Sequence, residues 1–160
     1  SNHAIGFHTR ETLLDSESTT RPDSLYGVSK VYGEALANLY HDKFGIESLI
    51  LRIGSCFPKP RDRRQLATWM SPEDMIRLFE RMVDVPRLGC CIVYGASDNA
   101  ERWWDDSKAR FLGWQPQDTS EPWREEVEAA SDVPASYAPD TLFQGGAFVT
   151  MDHPGTKKNT

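Results

Sequence analysis

Ser48-Leu49-Ile50-Leu51-Arg52-Ile53 runs straight into Gly54-Ser55. A near-continuous apolar run of this length is the pattern of a strand covered on both faces in a parallel sheet, and the glycine ends it in a loop. The stretch before it predicts a helix. Tyr26, Ser29, Lys30, Gly33, Ala37 and Tyr40 recur at intervals of three and four, while Leu36, Leu39 and Phe44 add apolar surface. Gly45 stands where a C-terminal cap belongs. Helix, buried strand and loop in this order form half of a doubly wound unit, in which ligands collect beyond the carboxyl ends of the strands. The fold class is therefore α/β, and the residues after Ile53 lie where a ligand would bind.

Working outward, Ser1-Asn2-His3-Ala4-Ile5-Gly6 reads as the end of a strand running into a loop, and Glu11 to Asp23 as a polar surface loop. Gly27 and Gly33 inside the helix cost roughly 1 kcal/mol each relative to alanine, which predicts close packing against a neighbouring helix or a cofactor. Ser71-Pro72-Glu73-Asp74 starts a second helix, with an N-cap serine, a first-turn proline and carboxylates facing the helix dipole; it should run to about Val83. Cys91-Ile92-Val93-Tyr94 predicts another buried strand, Trp103 to Phe111 a short helix with the tryptophans in the core, and Ser120 to Ala130 a further helix. This divides the chain into residues 1–130, one globular unit, and residues 131–160, an extended or partly disordered end.

A net charge of −6 excludes a general binder of phosphate backbones, which needs clustered Lys and Arg. Arg61, Arg63 and Arg64 form the one dense basic cluster, mixed in sign by Asp62, and suit a local anion site better than a nucleic-acid patch. Cys56, Cys90 and Cys91 match neither a disulfide framework nor a zinc spacing, so reduced thiols in a cytoplasmic setting are expected. No apolar run is long enough to span a bilayer. His8, His41 and His153 have no partners at metal spacing and are read as structural.

Tyr26 and Lys30 stand four residues apart and so share one helical face. An ammonium beside a phenol favours the phenolate, which makes the tyrosine a usable base for removing a hydroxyl proton. Taken alone, Tyr-x-x-x-Lys is a common accident of amphipathic helices. Ser1 lies upstream, a loop with Pro22, Asp23 and Ser24 leads into the tyrosine, and a strand ending Arg52-Ile53-Gly54 follows. With these the chain resembles the extended short-chain dehydrogenase/reductase family.

The resemblance narrows on Ser1-Asn2-His3-Ala4-Ile5-Gly6-Phe7, Arg21-Pro22-Asp23-Ser24, Arg52-Ile53-Gly54-Ser55, Arg63-Arg64, Tyr94-Gly95-Ala96-Ser97-Asp98-Asn99 and Trp103-Trp104-Asp105, with an echo at Gln144-Gly145-Gly146-Ala147-Phe148. These are similar to the uronate dehydrogenase family. The resemblance implies a Rossmann-type, doubly wound parallel sheet and NAD-dependent oxidation of galacturonate or glucuronate at C1 to the aldarolactone. It implies Tyr26 as the base for the C1 hydroxyl and Lys30 as its partner and ribose ligand. Ser1 would bond the reacting oxygen, with Asn2, His3 and Ser55 lining the sugar site. Ile53 and Ser55, with Tyr26 and Lys30, would contact the cofactor. Arg64 would grip the sugar carboxylate, since a planar guanidinium can pair both oxygens at once. Arg61 and Arg63 are read as solvated surface charge. Cys56 stands where the family has serine.

No Gly-x-x-Gly-x-x-Gly loop is present, nor the acidic residue that would hold the adenosine ribose. The expectation is therefore a C-terminal portion of the Rossmann fold, with the N-terminal dinucleotide-binding half missing. Two further readings stand beside the uronate one: a sugar-nucleotide epimerase or dehydratase of the same superfamily, and a non-catalytic module derived from such an enzyme. The partner expected is a small sugar acid, with neither nucleic acid nor membrane, and homo-oligomerisation is left open.

Overall fold

The computed structural model describes residues 1–133 and 135–151. A 3-10 turn at Asn2–Ala4 and a two-residue strand β1 at Leu14–Asp15 precede the long helix α1, Leu25–Phe44. Ser24 caps α1, its hydroxyl accepting from Gly27 N at 3.0 Å, and Gly45 closes it at φ 67°, a conformation that suits glycine. Then come β2 (Ser48–Ile53), β3 (Ser55–Cys56), α2 (Gln65–Thr68), β4 (Trp69–Met70) and α3 (Pro72–Asp84). They are followed by β5 (Cys90–Gly95), β6 (Trp104–Asp105) and a 3-10 helix at Ser107–Leu112. A 3-10 turn at Glu121–Trp123, α4 (Arg124–Ala130), α5 (Pro139–Leu142) and a 3-10 helix at Gly146–Thr150 complete the described chain.

All three ladders are parallel. β2 pairs with β5 from Ser48↔Cys90 to Ile53↔Gly95, β1 with β6, and β3 with β4. A parallel pair needs a long crossover, and α2 and α3 supply it between β2 and β5. This is a Rossmann-like α/β arrangement with flanking helices.

β5 organises the core because its alternate side chains enter two clusters on opposite faces. Val93 joins Met70, Leu78, Ala109, Leu112 and Trp114, with Leu49, Leu51 and Ile53 packed against them. Tyr94 joins Ile5, Leu14, Ala96 and Trp104, its ring stacked on Trp104 at 5.2 Å. Each fully buried side chain of this kind stabilises the fold by about 1.5–3 kcal/mol. β2 is less covered than expected: Arg52 is buried and its other residues are half-buried. That arginine is satisfied by Glu34 of α1, at 3.0 Å from Nε and 2.9 Å from Nη2, and by the Tyr94 hydroxyl at 2.9 Å. A charge inside an apolar run thus locks α1 onto β2 and β5.

Several elements depart from expectation. Trp103 to Phe111 is not one helix: Trp104–Asp105 is a strand and the helical part begins at Ser107. The cause is local, since the Asp105 carboxylate takes Ser107 N at 2.8 Å and the Trp104 indole reaches Gln144 Oε1 at 2.9 Å. Trp104 is core as expected, whereas Trp103 lies partly buried beneath the Arg10 guanidinium. The strand end expected at Ser1 winds instead as a 3-10 turn capped by the Ser1 hydroxyl. The polar loop before α1 contains β1. Of the two helix glycines, Gly27 is closely packed, where an added β-carbon would fall 2.3 Å from the His3 carbonyl oxygen in the 3-10 turn. Gly33 has open space around it.

The segment read as an extended end differs most. Pro139–Leu142 and Gly146–Thr150 are helical, and Gln144 between them is fully buried. Its side-chain amide donates to Thr9 O and Thr12 O at 3.0 and 2.9 Å, tying the segment to the start of the chain. Pro134 and residues 152–160, with His153 and the lysine pair, lie outside the described residues.

No helix among the described residues is long and apolar enough to cross a membrane, and no cluster of His, Cys, Asp and Glu there can hold a metal ion. The three thiols are free, and burial pushes Cys91 up to about 11.

Burial also pushes the Asp106 carboxyl up to about 7, although it accepts a hydrogen bond from Tyr94 N at 2.8 Å. The folded chain then holds this proton more tightly than the unfolded chain, where Asp titrates near about 3.9. Its contribution to stability is present at low pH and is lost as pH rises from about 4 to about 7. Asp106→Asn keeps the acceptor for Tyr94 and removes the titration. Urea midpoints measured at several pH values across that window should fall less with rising pH in the variant; identical slopes would refute the assignment.

Candidate active site

Beyond the carboxyl end of β2 lies a cleft of about 400 Å³ lined by Ser1, His3, Tyr26, Lys30, Ile53, Gly54 and Phe148. Each comes from a different constraint. Ser1 is held to the sheet by its nitrogen, which donates to Leu51 O at 3.0 Å, and its hydroxyl accepts from His3 N at 3.3 Å. Tyr26 and Lys30 project from the first two turns of α1, whose start is fixed by the Ser24 cap and the Gly27 contact. The Lys30 ammonium sits over the tyrosine ring, 5.0 Å from its centroid. His3 is pinned at one edge by Asp23, with Nδ1 to Oδ2 at 2.7 Å. One face of it is stacked on Phe148 at 3.8 Å, and its ring meets Tyr26 edge-on at 5.6 Å.

A second group lies behind this wall. Asn2 is fully buried; with its amide oriented so that nitrogen meets acceptor and oxygen meets donor, it donates to Ile53 O at 3.0 Å and accepts from Arg64 Nη2 at 2.5 Å. Arg64 Nε donates to Gln144 O at 2.9 Å, and the side chain lies so close over Gly146 that a β-carbon there would fall 2.7 Å from Arg64 Cδ. Gly146 has φ +60°, so both space and backbone require glycine. Desolvation brings the Arg64 guanidinium down to about 10. Among the described residues no carboxylate forms an ion pair with it. A buried guanidinium left without an ion pair carries a desolvation cost that an anionic partner would offset. The Ser55 hydroxyl is likewise buried with no hydrogen-bond partner among the described residues.

Five of the eight residues expected at the site, Ser1, His3, Tyr26, Lys30 and Ile53, line one cleft; Asn2, Ser55 and Arg64 do not line it. Arg61 packs its guanidinium over Phe57 at 3.7 Å. Arg63 departs from the expectation of solvated charge: its Nη2 donates to Glu128 O at 2.8 Å, bracing α4. His8 Nε2 donates to Thr19 O at 2.8 Å, and His41 meets Asp42, both structural roles. Phe148, Asp23 and Gln144 had no assigned function in the sequence. The signal for them was the Gln144-Gly145-Gly146-Ala147-Phe148 echo, whose two glycines allow the chain to close over Arg64 and Asp23.

The chain has close counterparts among known proteins. The chain is 49% identical over 148 residues to the uronate dehydrogenase of Pseudomonas putida, covering 92% of this chain and 55% of that protein. The chain is homologous to uronate dehydrogenases. The enzyme of Agrobacterium fabrum is 45% identical over 159 residues, covering 99% of this chain and 59% of the relative. The crystal structure of glucuronic acid dehydrogenase from Chromohalobacter salexigens superposes with a TM-score of 0.94 at 54% identity, over 98% of this chain and 59% of that one. A uronate dehydrogenase from Agrobacterium tumefaciens, solved also as a tyrosine-to-alanine variant complexed with NAD, superposes at 0.91 with 45% identity over 94% and 57% of the two chains. The chain thus spans somewhat over half the length of the uronate dehydrogenases it matches. No protein-family model matches it. A dTDP-glucose 4,6-dehydratase and a UDP-galactose 4-epimerase share its fold at TM-scores of 0.56 and 0.54.

Proposed function

We propose that this chain forms the C-terminal, hydride-transfer part of an NAD-dependent uronate dehydrogenase, oxidising galacturonate or glucuronate at C1 to the aldarolactone. The observation that carries this reading is the convergence of Ser1, His3, Tyr26 and Lys30 on one cleft, with Arg64 buried behind it and joined to its wall through Asn2. The residues present fit one end of the cofactor: Tyr26, Lys30 and Ile53 border an open cleft, and Ser55 carries a buried hydroxyl unpaired among the described residues. They supply no glycine-rich loop for the pyrophosphate. Leu25, Val28, Tyr32, Leu36, Leu39 and Phe44 leave α1 with an exposed apolar surface, as suits a helix covered by further polypeptide. We assign the pyrophosphate site to that part, and the whole to a cytoplasmic setting in keeping with its free thiols.

NAD, when bound, supplies the acceptor for the hydride that leaves C1. The chain's own residues do the rest. The Tyr26 oxygen removes the proton of the C1 hydroxyl, so that the C1–O bond becomes a carbonyl as the C1–H bond breaks. Lys30 places its ammonium over the Tyr26 ring, 5.0 Å from the centroid, and would bond the nicotinamide ribose. Ser1 donates to the reacting oxygen. Arg64 takes the sugar carboxylate with its remaining N–H donors, and Asn2 fixes its orientation.

The test is an assay of the chain joined to a glycine-rich dinucleotide-binding half. Galacturonate or glucuronate should yield NADH where nucleotide-linked hexoses do not, and Arg64→Lys should raise KM for the uronate about tenfold or more by losing the planar donor pair. Turnover of nucleotide sugars without uronate oxidation would favour the epimerase or dehydratase alternative. No turnover of either would favour the non-catalytic module.

A further inference from the structure

We infer that Asp23 is a positioning residue for the sugar site, fixing the His3 imidazole so that Nε2 faces the cleft as a hydrogen-bond acceptor for a substrate hydroxyl. The Asp23 side chain is fully buried, while that of His3 keeps 13% exposure where it meets the cleft. One carboxylate oxygen stands 2.7 Å from His3 Nδ1 and the other accepts from the Ser24 hydroxyl at 2.8 Å. Room for the carboxylate is built by two glycines from opposite ends of the chain. A β-carbon on Gly6 would fall 1.8 Å from Asp23 Oδ2, and one on Gly145 would fall 2.2 Å from it.

The chemistry follows from the donor inventory. A carboxylate only accepts, so the ring nitrogen facing it carries the hydrogen, and in neutral imidazole the other nitrogen is left as an acceptor. The ring cannot turn to exchange the two, because Phe148 stacks on it at 3.8 Å and Tyr26 meets it edge-on. An acceptor in a cleft whose other polar groups are the hydroxyls of Ser1 and Tyr26 and the ammonium of Lys30 selects a ligand that presents a hydroxyl donor there. That the hydroxyl belongs to a uronate rests on the function proposed above; the tautomer does not.

Two measurements test this. Nitrogen-15 correlation spectra of the chain, recorded with His3 neutral, should show a pyrrole-type Nδ1 and a pyridine-type Nε2. Asp23→Asn, which turns its amide donor towards Nδ1, should reverse them. In the protein joined to its dinucleotide-binding half, the same variant should raise KM for galacturonate about tenfold with kcat little changed, as expected when an acceptor is replaced by a donor. An Nε2–H tautomer in the unmodified chain overturns the inference even if the variant fails to fold. An unchanged tautomer in Asp23→Asn, or a fall in kcat with KM constant, overturns it as well. Absence of uronate oxidation by the parent protein strikes instead at the proposed function and leaves the tautomer result standing.

Discussion

Tyr26→Phe should lower kcat for galacturonate by about 10²–10⁴-fold, the usual share of a general base, with little change in KM. The substitution is nearly silent for structure. Tyr26 is half-exposed, and a phenyl ring keeps the edge contact with His3 at 5.6 Å, the approach to Phe148 at 6.0 Å and the Lys30 ammonium above it. What disappears is the oxygen that receives the proton. Steady-state NADH formation by the protein joined to its dinucleotide-binding half, compared with circular dichroism of the same sample, separates the two effects. A variant that turns over like its parent would remove Tyr26 from the mechanism.

The largest effect on stability is expected at the ion pair between α1 and β2. Glu34→Ala leaves the Arg52 guanidinium, only 2% exposed, with the Tyr94 hydroxyl and Ser18 O as its remaining partners. Breaking a buried pair in this way costs about 3–5 kcal/mol, because one charge is left uncompensated. Replacing both partners, as in Arg52→Met with Glu34→Leu, should recover much of the loss, since the desolvation cost vanishes along with the attraction. Urea unfolding of the parent, the two single variants and the double variant forms the cycle that measures the coupling. Additive losses would mean that Glu34 does not stabilise the helix through Arg52. Glu34 lies one turn beyond Lys30 on α1, so the pair also sets where the tyrosine and lysine stand.

The sequence was legible where local rules act alone. Ser24 and Gly45 bound α1, Ser71 and Pro72 open α3, and the apolar runs around Leu49 and Ile92 became the six-residue parallel ladder. It was less legible where tertiary contacts decide. Nothing near Trp104 says that its indole will be taken by Gln144, and so the helix expected there broke into a strand and a 3-10 turn. Gln144 itself lies in a segment with weak periodicity, because its order comes from hydrogen bonds to Thr9 and Thr12 and not from an apolar stripe. The site shows the same division. Tyr26 and Lys30 follow from helical spacing, whereas the Phe148 stack and the Asp23 cradle need the two ends of the chain to meet.

That meeting has a consequence for how the protein is made. Arg64 donates to the carbonyl of a residue 80 positions further along, and Gln144 reaches back across 135. Contacts so distant in sequence pay their loop-closure entropy before they return any stability, and they tend to form late in folding. The cleft that we propose for the sugar acid therefore comes into being late in folding, and competence to bind a ligand there doubles as a report that the segment around Gln144 has docked.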